Sequence, residues 1–154
     1  MKRGNTRQRV IEEALHLFAS NGYDAVSVSQ IAQAVGIKAP SLYKHFESKR
    51  AIFDAIVEYM HHIDVEHSKA AEVPERDAET DDARNDAVDP GKLRAFMVEQ
   101  FRYWTEDDLA RDYRRMLTVE QYTSAEGMAR YQKVLGSGPV AYIEDMLGAM
   151  LGWC

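Results

Sequence analysis

Apolar positions along this chain recur at helical spacing, and no stretch alternates as a strand would. In "TRQRVIEEALHLFAS", residues 6–20, they fall at 10, 11, 14, 17 and 18, a stripe that predicts an amphipathic helix. Asn21-Gly22 supplies its stop. Ser27 and Gln30 in "SVSQIAQAV" match a capping box, so a second, short helix runs to about Val35 and ends at Gly36. A third is expected over roughly 39–45, with Pro40 in the first turn where no backbone N–H is needed. Ser48 then caps a longer helix with Ile52, Phe53, Ile56, Val57, Met60 and Ile63 on one face.

The pattern resumes at Asp89-Pro90, a cap and first residue, with Leu93, Phe96, Met97, Phe101 and Trp104 inward. A helix over about 107–122 carries Leu109, Tyr113, Met116 and Leu117, and 125–135 reads as helical again. "GSGP" at 136–139 breaks or kinks the chain, after which Val140, Ile143, Leu147, Met150 and Leu151 share a face. No repeat of 20–50 residues is visible. The fold class is therefore all-α. Two short helices joined by a glycine-containing turn form a helix-turn-helix pattern. Helices of that length bury too little to stand alone, so Phe18, Ile31, Leu42 and Phe46 should tie them to the first and fourth helices. The expected organisation is a head over residues 1–50 and a helical body over 51–154.

Charge sharpens that division. The 154 residues carry a net charge of −6. Residues 1–50 hold eight Lys/Arg against four Asp/Glu, a net of +4, while 51–154 hold 11 against 21, a net of −10. A basic head on an acidic body fits contact with a polyanion. Within the body, "AAEVPERDAETDDARNDAVDPG", 70–91, has eight acids, two prolines and no aromatic residue, and reads as a solvated, mobile linker at about 70–90. No apolar run approaches the roughly 18 residues of a membrane span, and no apolar stretch follows the basic N-terminus as in a secretion signal. The single cysteine, Cys154, excludes an internal disulfide. A cytoplasmic protein without membrane association is expected.

Candidate chemistry is sparse. "EYMHHIDVEH", 58–67, gathers three histidines and three acids, but on a helix they do not converge and no HExxH pair occurs. It reads as a solvated helix face. Neither a glycine-rich phosphate loop nor a GxSxG elbow is present. No catalytic constellation, metal site or cofactor is expected.

The stretch "ALHLFASNGYDAVSVSQIAQAVGIKAPSLYKHFESKRAIFDAI" resembles the DNA-binding domain of TetR-type (tetracycline-repressor-like) transcriptional regulators. The resemblance rests on the "LF…NGYDAVSVSQIA" entry, the Gly36 turn, "LYKHF", and the "SK" that opens the next helix, over about 45 positions. A weaker resemblance to the sensor domain of some members lies in "YRRMLTVEQYTSAEGMARYQKVLGSGPVAYIEDML". In a helix-turn-helix the second helix enters the major groove, and residues near its start reach base edges. Here those are Lys38, Ala39, Pro40 and Ser41. The resemblance implies backbone contacts from Tyr43, Lys44, His45 and Lys49, and from Ser27 at the start of the preceding helix. Many members have a small hydroxyl residue where Lys38 stands.

It also implies a homodimer on palindromic operator DNA, with a small-molecule effector enclosed by the C-terminal helices. Phe101, Trp104, Tyr113 and Tyr122 are the candidates to line that effector site. Members commonly carry two further helices for dimerisation, and this chain stops about where they would begin. Either the sequence is C-terminally truncated or residues 140–154 supply a smaller interface. The alternative to a repressor is an interaction or ligand-sequestering protein that keeps the fold without binding DNA.

Overall fold

The computed structural model describes residues 5–70 and 90–151, all of its regular structure helical. The elements are α1 (Thr6–Asn21), α2 (Val28–Val35), α3 (Ala39–Leu42), α4 (Lys49–Ala70), α5 (Pro90–Glu106), α6 (Asp108–Glu120), α7 (Ala125–Leu135) and α8 (Ser137–Leu151). The acidic linker, the Asp89 cap and Cys154 lie outside the described residues.

Local chemistry sets the boundaries. Asn5 caps α1 through the Arg7 N–H, and Gly22, at φ 82°, ends it by donating to the Phe18 carbonyl. The capping box of α2 is complete: Ser27 Oγ accepts from the Gln30 N–H at 3.3 Å, and Gln30 Oε1 accepts from the Ser27 N–H at 2.7 Å. Gly36 closes α2 in the left-handed region, at φ 76° and ψ 31°. The helix expected over 39–45 is regular only to Leu42. Beyond it, turn bonds run from the His45 and Phe46 N–H groups to the Leu42 carbonyl. Lys38 is its N-cap and makes no side-chain cap bond. Ser48 Oγ accepts from the Ala51 N–H at the start of α4, Asp107 caps α6 and Ser124 caps α7.

The core is continuous from α1 to α6. Val10, Ile11, Ala14, Leu15 and Phe18 of α1 meet Ile31 and Val35 of α2, Leu42 of α3, Phe46 of the turn after it, Ile52, Phe53, Ile56 and Met60 of α4, and Tyr113, Met116 and Leu117 of α6. Phe18 is fully buried and packs in a triangle with Tyr23 and Phe53, ring centroids 5.3 and 6.1 Å away. Truncating a phenylalanine so placed costs about 3–5 kcal/mol. A polar pair crosses the α1–α6 contact: His16 Nδ1 lies 3.0 Å from Asp112 Oδ2, and Asp112 is buried.

The stripe expected on α5 is rotated. Phe96 and Tyr103 are buried and Trp104 partly so, whereas Met97 and Phe101 face outward. The helix carries apolar residues on more than one face, and only the face toward its neighbours is covered. On α8, Val140, Tyr142 and Leu147 are exposed.

Candidate nucleic-acid interface

The helix-turn-helix buries one side and leaves the other in solvent. Ile31, Ala32, Val35, Leu42 and Phe46 point into the core. The opposite side carries Ser27, Lys38, Pro40, Tyr43, Lys44 and His45, all exposed, with Ala39 and Ser41 partly covered. Tyr43 keeps 53% of its surface open, unusual for a large aromatic side chain flanked by so much core. The reason is local: Leu42 and Phe46 are one turn apart and both inward, so the three residues between them are turned out. Pro40 in the first turn of α3 and the left-handed Gly36 set the angle at which that turn projects.

Lys49 is placed differently from the other eight. Its Nζ donates to the Tyr23 carbonyl at 2.8 Å and the Val26 carbonyl at 3.0 Å, and sits 4.2 Å from the centroid of the Tyr23 ring. It fastens the loop between α1 and α2 to the start of α4. The N-terminal basic residues are also structural: Arg9 donates to the Val35 carbonyl at 2.6 Å, and the Arg7 guanidinium lies over the Phe46 ring. Arg3 lies outside the described residues.

A second feature lies in the body, a cavity of about 320 Å³. Its walls are Val57, Met60, His61 and Asp64 of α4, Trp104 of α5, Tyr113 of α6, and Glu126, Ala129, Arg130, Lys133 and Val134 of α7. Of the four aromatic residues expected there, Trp104 and Tyr113 line it. Phe101 and Tyr122 do not: they are 69% and 80% exposed, Phe101 on the uncovered face of α5 and Tyr122 in the turn after α6. Burial pushes the Tyr113 hydroxyl up to about 12, against the opposing pull of the Arg130 charge.

The stretch 58–67 read as a solvated face instead contributes His61 and Asp64 to this cavity. Their three-residue spacing, in step with Val57 and Met60, was the available signal. Among the described residues no group of three His, Cys, Asp or Glu side chains could hold a metal ion, and no helix is long and apolar enough to cross a membrane.

Glu126 joins cavity and head. Its Oε1 accepts from Arg50 at 2.5 Å and from Arg130 at 2.8 Å, and both guanidiniums lie over the Phe53 ring. The Arg50 hydrogen bond holds the Glu126 carboxyl below its ordinary range.

Residues 10–56 match the family model described as "Bacterial regulatory proteins, tetR family". The biofilm operon icaADBC HTH-type negative transcriptional regulator IcaR of Staphylococcus aureus (strain Newman) is 41% identical over 51 residues, which are 33% of this chain and 27% of the relative. The tetracycline repressor protein class C of Escherichia coli is 39% identical over 62 residues, 40% of this chain and 28% of that protein. The chain thus spans little more than a quarter of the length of these relatives. A crystal structure of a TetR/AcrR family member aligns over 96% of this chain and 95% of its own, with a TM-score of 0.43 and 16% identity. Over residues 10–56, then, the helical head of this protein is similar to the bacterial regulatory proteins of the tetR family.

Proposed function

We propose that this chain is a transcriptional repressor that grips operator DNA through the exposed side of α2 and α3. The observation that carries this reading is the outward strip of Lys38, Pro40, Tyr43, Lys44 and His45 beside the Ser27 cap, on a motif that buries Ile31, Val35, Leu42 and Phe46 on its other side. Lys38, Ala39, Pro40 and Ser41 read base edges, the small residues permitting close approach. Tyr43, Lys44, His45 and Ser27 hold phosphates. Lys49 acts on DNA indirectly, by fixing the loop that presents Ser27, with at most one of its three protons left for a phosphate.

The protein acts as a homodimer on a palindromic site. The exposed Val140, Tyr142 and Leu147 of α8 support self-association. Two recognition helices then need half-sites one turn of DNA apart or a multiple, about 34–36 Å centre to centre. The cavity takes a small-molecule effector that releases the operator, because it shares Glu126 and Arg130 with the bridge to Arg50 at the start of α4. An effector shifts the equilibrium only by its difference in affinity for the two arrangements.

Selection from random oligonucleotides tests the reading, with the mass of the complex measured in parallel. Enrichment of a palindrome bound by two chains is expected, and Lys38→Ala or Ser41→Ala should change the selected sequence. Failure to enrich any sequence would refute it.

A further inference from the structure

The cavity has an apolar floor, two aromatic walls and one carboxylate without a hydrogen-bond or ion-pair partner among the described residues. Val57, Met60, Ala129 and Val134 supply the floor, and Trp104 and Tyr113 the rings. Asp64 of α4 is half-buried and makes no hydrogen bond or ion pair among the described residues. Burial holds its carboxyl above the ordinary range, only partly relieved by His61 and His67 one turn to either side. Among the described residues, no group on a neighbouring helix forms an ion pair with it. From α5, Tyr103 adds only a phenol, whose buried hydroxyl has no partner among the described residues. From α6, Tyr113 is neutral across the physiological range.

Two cations stand on the α7 wall, but neither is a free buried charge. Arg130 is committed to Glu126, which Arg50 also holds. Lys133 is exposed, where water solvates its ammonium. The half-buried charge left uncompensated among the lining residues is negative.

We propose that the cavity selects a cationic amphiphile, a molecule with an aromatic or apolar body and one basic nitrogen, which seats the nitrogen on Asp64 beside Trp104 and Tyr113. A desolvated carboxylate gains more from a counter-charge than one in water does. Aromatic faces attract a cation through the ring quadrupole, most strongly with indole. The body of the ligand replaces water over the apolar floor. This inference rests on reading the cavity as the effector site.

A matched pair of probes tests it: 1-naphthylmethylammonium and 1-naphthylacetate, alike in ring and size and opposite in charge. Titration calorimetry on the full chain should show the ammonium binding one per chain, at least tenfold tighter than the acetate. Asp64→Asn, nearly isosteric, should abolish that preference with the circular dichroism spectrum unchanged, while Lys133→Ala should leave it intact. Equal or tighter acetate binding, a preference that survives Asp64→Asn, or no binding of either probe at millimolar concentration would overturn the inference. Operator affinity measured on the same samples separates the two readings. Amine binding that depends on Asp64 but leaves operator affinity unchanged refutes effector release and upholds the cation site. Operator binding that persists with no amine binding upholds the DNA reading and refutes the cation site.

Discussion

Replacing Lys49 by methionine keeps the stem and removes the ammonium, and so asks whether this lysine serves the fold or the DNA. Its Nζ holds two carbonyl oxygens at 2.8 and 3.0 Å and lies 4.2 Å from the Tyr23 ring centroid. Hydrogen bonds to a charged donor are worth about 1.5–3 kcal/mol each, and a cation–π contact about 0.5–1 kcal/mol. The site is only partly buried, so water recovers much of this when the ammonium goes. A net loss of about 2 kcal/mol follows, which for a chain of this size lowers Tm by about 4–8 °C. Lys44→Met is the control: Lys44 is exposed, has no bonding partner among the described residues, and should change stability by less than about 0.5 kcal/mol. Thermal and urea unfolding followed by circular dichroism, with DNA binding by fluorescence anisotropy, give both readouts. Lys49→Met should lose stability and DNA affinity together, and Lys44→Met affinity alone. If Lys49→Met melts with the parent and loses only DNA affinity, its ammonium serves phosphate and the account of the loop is wrong.

Other outcomes follow from single positions. Gly36→Ala meets no atom within 4 Å, so its cost is the positive φ alone, about 1–2 kcal/mol in urea unfolding; an unchanged midpoint would contradict a left-handed cap. Asp64 is raised by burial, so the folded state holds its proton more tightly than the unfolded chain. The parent therefore loses stability as pH rises from the unfolded value, about 3.9, through the folded one. Asp64→Asn should be the more stable protein at pH 7 and should lose that advantage near pH 3, in melts at both. Tyr43→Ala should weaken specific and random DNA alike without lowering Tm; a change in sequence preference instead would move Tyr43 from phosphate to base contact.

Where the signal was local, the sequence was legible. Ser27 and Gln30 answer each other three residues apart, Gly22 and Gly36 end helices by their own backbone freedom, and Ser48 needs only the Ala51 N–H. Leu42 and Phe46 were expected in the core because so short a helix must lean on its neighbours, and they are buried there. What depends on a neighbouring element was not legible. Phe101 sits on a stripe as regular as that of Tyr103, and only the position of the adjoining helices decides which is covered. Lys49 is one basic residue among several until the 22–27 loop folds back on it. His61 and Asp64 look like a solvated face until α7 arrives opposite. The Glu126 bridge joins residues 76 positions apart, with no trace in either local sequence.

The central claim is that an acidic protein presents one basic, outward face to DNA. Its most direct test is the slope of log K against log salt on duplex DNA, for the parent and for Lys44→Ala. The parent should show a steep fall, and Lys44→Ala a slope smaller in magnitude by about 1.8, since a dimer loses two phosphate contacts of about 0.9 each. A parent that binds no duplex at low salt, or whose affinity is indifferent to salt, would contradict it.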